Sequence, residues 1–418
     1  MLDTTNNAPR GERLGIAVIG LGGAVATTAV AGALLMRSGE QGPAGLPLAE
    51  FTDLDLASYA DLHFRGWDLY PHNLYDAAKH HNVLKPAQLQ AIEMDLAAIT
   101  PWPAIANRNF CAGVVADGED TRQPHRRTVK QIQHQLDTFS REIDARVVVI
   151  NLASTEHALD MNDVIYQEPT AFETALDEDH AGISPAMLYA YACIKAGVPY
   201  GNFTPSTAAD VPALVRTAAE ENTPVAGKDG KTGQTYLKTV LAPALRARAL
   251  QVDGWFSTNI LGNRDGEALR KPGSLQNKIN TKGDVLTSCL GYPVEDHVVK
   301  INYYKPRGDN KEAWDNIDIN GFLGHEMQIK VNFLCKDSIL AAPLAIEIAR
   351  CLDLAGRKGR GGVVEALGVF FKAPMTEDDR EPLHDFTKQQ IELVDWLHET
   401  NALEDVGTQM AAHGEAEA

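Results

Sequence analysis

The chain has 418 residues, of which 44% are hydrophobic and 22% charged, and its formal net charge is −18. This composition is typical of a globular protein, and the length allows two domains of ordinary size. The acidic balance argues against general nucleic-acid binding, because affinity for a phosphate backbone needs a basic face. No apolar run reaches the roughly 18 residues of a membrane span and no secretory leader is recognisable, so we expect a cytoplasmic protein without a membrane partner.

The first predicted elements form a unit typical of dinucleotide binding. A buried strand over Leu14–Gly20 leads into a glycine-rich turn, and a helix follows over Val25–Arg37. Glycines in such a turn let backbone N–H groups at a helix N-terminus approach a pyrophosphate. The turn departs from the full G-x-G-x-x-G pattern, because Val25 stands where the third glycine or an alanine is expected. The candidate cofactor contacts in it are Gly20, Gly22, Gly23, Ala24 and Val25.

Asp68 is the candidate hydrogen-bond acceptor for the adenosine ribose. It follows Gly66-Trp67, much later than the usual distance of about 20 residues after the glycine turn. This spacing disfavours an ordinary dehydrogenase of the Rossmann type.

The rest of the chain alternates helical and strand-like patterns. After Tyr200, strand-like segments alternate with loops that carry glycine and lysine, and helical patterns return near Asp337. We therefore expect the middle of the chain to be inserted into the first domain, and the end after Asn401 to be disordered. The predicted helices span Pro86–Ile99, Pro185 to just before Gly197, Asp337–Ala355 and Phe386–Glu399, and the predicted strands span Arg146–Ile150, Trp255–Ile260 and His297–Tyr304.

The five cysteines form no C-x-x-C pair, and their odd number and wide spacing indicate reduced, mostly buried thiols. None has the surroundings of a low-pKa nucleophile. No group of His, Cys and Asp has the spacing of a dedicated zinc site, so the sequence does not assign a metal.

Five segments in the second half of the chain indicate an enzyme that holds a dinucleotide and an anionic substrate together. Each places Lys or Asp beside Gly, Asn or Pro, or inside an apolar stretch, which a solvated surface lysine does not need. A desolvated lysine stabilises an oxyanion, and it transfers protons once its pKa falls. The segments are Lys228–Thr235, Leu261–Gly266, Asn277–Lys282, Gly308–Lys311 and Phe370–Met375.

These motifs resemble the inositol-phosphate synthase family, in particular its archaeal-like branch. The resemblance extends from about Gly15 to Met375, and Asp265 and Lys278 lie thirteen residues apart, as in the family. The matching motifs are Asn151–Glu156, Tyr200–Pro205, Lys228–Thr235, Asn259–Gly266, Gly308–Lys311 and Phe370–Met375.

The resemblance implies an α/β fold in which both chain ends form a Rossmann-like NAD domain. An α+β catalytic and tetramerisation domain is inserted between them. The expected boundaries are residues 1–200 and 311–418 for the NAD domain and 201–310 for the inserted domain. A tightly bound, recycled NAD and a homotetramer are also implied. Some family members need a divalent metal and others a monovalent ion, so the cation is left open.

The implied reaction converts D-glucose 6-phosphate to myo-inositol phosphate. It proceeds by oxidation at C5, enolisation at C6, an intramolecular aldol step and reduction by the same NADH. The catalytic residues implied are Lys278, Lys282, Lys311, Lys372, Asp229 and Asp265, and the substrate contacts are Asn263, Lys278 and Lys282. The further cofactor contacts are Ala153, Ser154, Thr155, Asn202, Thr232, Asp309 and Asp337.

Three alternatives stay open. The same chemistry on D-fructose 6-phosphate closes a five-membered ring, giving a cyclopentane cyclitol phosphate as in carbocyclic natural-product biosynthesis. The motifs do not separate these two substrates, and we favour the inositol route as the commoner activity in the family. A simple dehydrogenase would consume NAD in stoichiometric amounts. A non-catalytic NAD sensor would have no chemical use for the four lysines.

Overall fold

The computed structural model describes residues 13–111, 123–262, 285–377 and 380–406. The strands in these ranges are β1 (Leu14–Ile19), β2 (Leu62–Asp68), β3 (Trp102–Pro103), β4 (Arg146–Asn151), β5 (Tyr200–Asn202), β6 (Pro224–Gly227), β7 (Gln251–Leu261), β8 (Asp296–Tyr303), β9 (Asn310–Asn320), β10 (Glu326–Lys336) and β11 (Gly362–Val363). The α-helices with both ends in these ranges are α1 (Ala24–Arg37), α2 (Leu74–His81), α3 (Pro86–Ala91), α4 (Glu93–Ala97), α5 (Arg108–Cys111), α6 (His125–Ile143), α7 (Pro169–Asp177), α8 (Pro185–Lys195), α9 (Pro212–Glu220), α10 (Gly233–Ala247), α11 (Asp337–Arg357) and α12 (Phe386–Asn401). Residues 285–290 are also helical.

The larger sheet has seven parallel strands in the order β11-β6-β5-β4-β1-β2-β3. Strand β1, which lies between β4 and β2, is buried along its whole length, as expected for a strand covered by helices on both faces. One face packs against α1 and α11, and the other against α6 and α8. The strand order reverses between β1 and β4, and open α/β sheets bind ligands at the carboxyl ends of strands at such a point.

The smaller sheet has four strands in the order β10-β9-β7-β8. Strands β7 and β8 run parallel, whereas β9 is antiparallel to both β7 and β10. Its inner face buries Trp255 and Ile317 against Ala242 and Leu245 of α10. The outer face carries partly exposed side chains, including Trp314 at 37% exposure.

The predicted α/β class and the Rossmann-like unit are confirmed, but the sheets do not follow the predicted domain boundaries. Strands β5 and β6, which fall within 201–310 except for Tyr200, lie in the larger sheet, and β9 and β10 lie in the smaller sheet although they extend beyond residue 310. Strand β5 has only three residues, too short for its hydrophobic pattern to identify it in the sequence. We therefore propose an inserted domain that contains β7–β10 and rejoins the NAD domain at α11.

The predicted single helix over Pro86–Ile99 is wrong, because α3 and α4 are separate short helices. Ile92 lies between them with φ −124° and ψ 18°, outside the α region, and its side chain is buried. Among the described residues, no helix has the length and apolar character needed to cross a bilayer.

Candidate active site

The glycine-rich turn connects β1 to α1 at the carboxyl end of the larger sheet. Gly20 has φ +85°, and a Cβ there would lie 3.0 Å from backbone atoms of Ala153, so this position requires glycine. Gly23 is the N-cap of α1, and because glycine has no side chain to cap the helix, the helix N-terminus stays accessible. Such an N-terminus suits a pyrophosphate, because its N–H groups and its dipole both favour an anion.

Asp68 ends β2 directly beside this turn. Its Oδ2 accepts a hydrogen bond from the Gly22 N–H at 2.8 Å, and its Oδ1 accepts one from the Tyr70 N–H at 2.9 Å. The carboxylate is therefore held at the place where a ribose is expected in this class of fold. The long sequence interval after the turn is taken up by the segment between α1 and β2, so the spacing does not affect the geometry.

A cavity of about 630 Å³ opens above the turn. This volume lies within the range of small-molecule and cofactor sites. Nine of the predicted cofactor contacts line it, namely Gly20, Gly22, Gly23, Ala24, Val25, Asp68, Ala153, Ser154 and Asp337. The glycine cradle, the open helix N-terminus and the aligned carboxylate together fit a dinucleotide.

Two lysine–aspartate pairs lie next to one wall of this cavity. Lys372 Nζ is 2.6 Å from Asp229 Oδ1, and Lys311 Nζ is 3.3 Å from Asp337 Oδ1. Thr232 Oγ1 also donates to Asp337 Oδ1, at 3.1 Å. We call these five residues the amine cluster. Its members come from distant parts of the sequence, and the topology brings them together.

An antiparallel contact aligns the two segments that carry Asp229 and Lys372. The Lys372 N–H donates to the Asp229 carbonyl at 2.7 Å, and Gly230 forms a bridge with Phe371. A Cβ at Gly230 would lie 2.0 Å from the Phe203 ring, so the close approach needs glycine here. The Gly-containing motif predicted from the sequence therefore has a packing reason as well as a chemical one.

The charges of the amine cluster stabilise one another. Burial opposes the charge of Lys311, but the Asp337 carboxylate more than compensates and raises the pKa of this lysine above its usual value. Burial likewise tends to raise the pKa of Asp337, while Lys311 and then Lys372 hold it below the usual value. Both members of the Lys311–Asp337 pair are thus charged at neutral pH.

Asp309 has a structural task at this site. Its Oδ1 accepts a hydrogen bond from Ser338 Oγ at 2.9 Å, its Oδ2 accepts one from the Ser338 N–H at 3.3 Å, and its carbonyl accepts the Asp337 N–H at 3.2 Å. It therefore caps the first turn of α11 from the start of β9. The predicted direct contact between Asp309 and the cofactor stays a prediction.

The other predicted residues divide into two groups. Asn202 is fully buried and its Nδ2 donates to the Ser206 carbonyl at 2.7 Å, and neither it nor Thr155 is among the cavity-lining residues. The predicted substrate and catalytic residues Asn263, Asp265, Lys278 and Lys282 lie outside the described residues.

The cavity lining also contains residues that the sequence did not mark as site residues, among them Ser338, His81 and Glu156. Ser338 follows Asp337, and His81 Nε2 lies 2.8 Å from the Gly22 carbonyl oxygen. Glu156 Oε1 accepts the Ala186 N–H at 2.9 Å, and burial raises the pKa of Glu156 to about 7. Glu156 belongs to a recognised motif, so that signal was present, whereas nothing near His81 in the sequence links it to the glycine turn.

The family model of myo-inositol-1-phosphate synthase matches residues 45–398. The chain belongs to this family. It is accordingly an NAD-dependent enzyme of the intramolecular isomerase class.

Individual relatives agree with the family assignment. Inositol-3-phosphate synthase 1 of Bacteroides thetaiotaomicron is 40% identical over 408 residues, covering 91% of this chain and 94% of the relative. Inositol-3-phosphate synthase of Saccharomyces cerevisiae is 30% identical, covering 92% of this chain and 85% of the relative. The crystal structure of inositol-3-phosphate synthase from Caenorhabditis elegans has a TM-score of 0.85 at 24% identity, covering 95% of this chain and 87% of that one, and it supports the fold.

Proposed function

We propose that this family member converts D-glucose 6-phosphate to myo-inositol phosphate with a bound, recycled NAD. The observation that carries the proposal is the amine cluster, where two paired lysines lie beside the wall of the dinucleotide cavity. The similarity of the chain to relatives named inositol-3-phosphate synthase supports the choice of substrate and product.

The chemistry fits the groups in the cluster. Bound NAD supplies reversible oxidation at the sugar C5. With a carbonyl at C5, the C6 proton becomes acidic, and the developing enolate oxygen needs positive charge in a site that excludes water. Lys311 and Lys372 supply that charge from partly buried amines, and Asp229 and Asp337 hold the amines in place.

Proton transfer is assigned to the Lys372–Asp229 pair. The Lys372 side chain is 16% exposed, so its amine is shielded from bulk water without being fully enclosed. A lysine in such a place holds or accepts a proton at Nζ, and the Asp229 carboxylate fixes the direction of the amine. Asp337 is assigned mainly to keeping Lys311 charged.

The remaining lysines complete the proposal by resemblance. Lys278 and Lys282, with Asn263, are proposed to bind the phosphate and the reacting oxygen, and Asp265 to orient them. Lys278→Ala is expected to abolish cyclisation and leave NAD bound. Normal cyclisation by that variant would remove Lys278 from the mechanism.

One experiment tests the substrate and the ring size. Purified enzyme is incubated separately with ¹³C-labelled glucose 6-phosphate and fructose 6-phosphate, and the ring carbons are followed by NMR. A six-membered product from the aldose is expected. A five-membered product from the ketose alone would overturn the proposal, and NADH accumulation in proportion to product would indicate a dehydrogenase instead.

A cation requirement is proposed from the resemblance alone. Among the described residues, no group of three or more His, Cys, Asp or Glu side chains is placed to hold a metal ion. Activity after dialysis against EDTA, and then with Na⁺, K⁺, NH₄⁺ or Mg²⁺ added back, distinguishes a divalent from a monovalent requirement.

We also propose a homotetramer, assembled through the outer face of the smaller sheet. The Phe256 and Trp314 rings meet there edge to face, with centroids 6.0 Å apart, and Val298 and Leu334 are exposed on neighbouring strands. An apolar patch of this kind is typical of protein interfaces. Light scattering is expected to give a tetramer for the wild type and smaller species for Trp314→Glu. An unchanged mass for Trp314→Glu would exclude this face as the subunit interface.

A further inference from the structure

Lys231 is a buried lysine that the proposed reaction does not use. It lies between Asp229 and Thr232 in the sequence, yet its side chain reaches a different part of the protein. Its Nζ donates to Gln389 Oε1 at 2.5 Å and lies 5.7 Å from the centroid of the Phe386 ring. Both partners belong to helix α12, near the C-terminal end of the chain.

Gln389 uses its other polar atom on the segment that leads to Lys372. Its Nε2 donates to the Gly368 carbonyl at 3.1 Å and to the Leu383 carbonyl at 2.5 Å. The same segment accepts the Lys231 N–H, at the Phe370 carbonyl, at 2.7 Å. The two segments of the amine cluster are therefore joined to each other and to one side chain of α12.

The burial of Lys231 is costly for a purely structural contact. Lys231 is 4% exposed and Gln389 is 2% exposed, and the amine donates its hydrogen bond to a neutral amide. A buried ammonium without a carboxylate partner is expensive, and an apolar side chain of similar size usually packs at lower cost. Burial accordingly lowers the pKa of Lys231 to about 7, with the Cys289 thiol acting weakly in the opposite direction.

We propose that Lys231 is a positioning residue, which anchors the turn 229–232 to helix α12 and so fixes Asp229 against the Lys372 amine. The position of Asp229 follows from this anchor, because the turn contacts the Lys372 segment on one side and α12 on the other. The inference relies on the proposed function only in assigning Lys372 to catalysis. The geometric part stands on its own.

The test measures the Lys372 amine directly. Wild type and Lys231→Met are treated briefly with an amine-acylating reagent, and the acylation of Lys372 is quantified by mass spectrometry. We expect Lys372 to react several-fold faster in Lys231→Met, because its pairing with Asp229 is loosened. Gln389→Met removes the same contact from α12 and should give the same increase, and the double variant should add little more.

The matched control is Lys238→Met. Lys238 is another buried lysine, 2% exposed, whose Nζ lies 2.7 Å from His297 Nε2, away from the turn. This variant should leave Lys372 acylation unchanged. In Lys231→Met, acylation of Lys238 itself reports general opening of the fold, so a rise confined to Lys372 identifies local positioning.

Kinetics supply the second readout. Lys231→Met should lower kcat by about 10- to 100-fold, the range expected from a misplacement near 1 Å, with the KM for the sugar phosphate and the Kd for NAD little changed. Unchanged Lys372 acylation in both Lys231→Met and Gln389→Met would overturn the inference. If the wild type cyclised neither sugar phosphate, the proposed function would fail while the acylation result still decided the role of Lys231.

Discussion

Lys311 on strand β9 and Asp337 at the start of helix α11 form an ion pair at 3.3 Å, although 26 positions separate them in the sequence. Strand β9 leads away from Lys311, and the antiparallel strand β10 returns to Asp337. The ion pair therefore joins the two ends of this hairpin. The same Asp337 lines the dinucleotide cavity. The pair therefore connects the sheet, the cavity and the candidate chemistry.

Asp337→Asn should narrow the pH range of activity. Burial lowers the pKa of Lys311 and Asp337 raises it, so removing the carboxylate leaves burial unopposed and the pKa of this lysine falls. The basic limb of the kcat profile should then move to lower pH. Thr232→Val is the control, because it removes a hydrogen bond to Asp337 but keeps the charge. A basic limb at the same pH in Asp337→Asn and wild type would contradict the assignment.

Lys372→Met should abolish most turnover and spare cofactor binding. Loss of a positioned proton donor or acceptor typically costs about 10²–10⁴ in rate. The Lys372 amine contacts Asp229 and is absent from the cavity lining, so the Kd for NAD should stay within a few-fold. Single-turnover kinetics and calorimetry with NAD provide the two measurements. Weak NAD binding with normal turnover at saturation would assign Lys372 to the cofactor instead.

Gly20→Ala should impair both folding and NAD binding. The residue has φ +85°, where a Cβ costs about 1–2 kcal/mol, and the added carbon would approach the Ala153 backbone to 3.0 Å. Gly42→Ala is the matched control, since nothing lies within 4 Å of a Cβ there and its φ is not left-handed. Thermal melts with and without NAD measure both effects. Equal melting temperatures for the two variants would show that the turn tolerates a side chain.

NAD affinity should fall as the pH rises through about 7, because of Glu156. Burial raises the pKa of this carboxyl to about 7, so it is neutral below that pH and ionised above it, on the wall of the cavity proposed to hold the anionic cofactor. Glu156 also affects the stability of the fold in the same direction. Because its pKa is raised in the folded protein, its contribution to the free energy of unfolding falls as the pH rises from about 4.5 to about 7. Glu156→Gln keeps an acceptor for the Ala186 N–H and should flatten both trends. Calorimetry at pH 6 and pH 8 measures the ratio of the two NAD affinities for each protein. An identical ratio in wild type and Glu156→Gln would exclude Glu156 as the cause of the pH dependence.

Local patterns in the sequence were sufficient for the first unit of the fold. The buried run over β1, the glycine turn and the helix α1 each have a short-range signal in the sequence, and the structure contains all three in that order. Asp68 was named as a candidate ribose contact, although no strand was predicted over β2. These elements depend on neighbours in the sequence or on the pairing of adjacent strands.

Long-range contacts account for what the sequence did not reveal. The assignment of β9 to the smaller sheet depends on pairing with β7, some sixty positions earlier. The contact between His81 and Gly22 joins a helix end to a turn in another part of the chain. No period or motif in a single sequence encodes such partners.

The first turn of α11 has one further consequence. It provides the counter-ion of Lys311 and, through Asp337 and Ser338, a wall of the dinucleotide cavity. If the nucleotide left the cavity past that wall, the first turn of α11 would be displaced and the Lys311–Asp337 ion pair would separate. We therefore expect exchange of the coenzyme with solvent and progress of the reaction to be mutually exclusive, as suits a coenzyme restored to its starting form within every cycle.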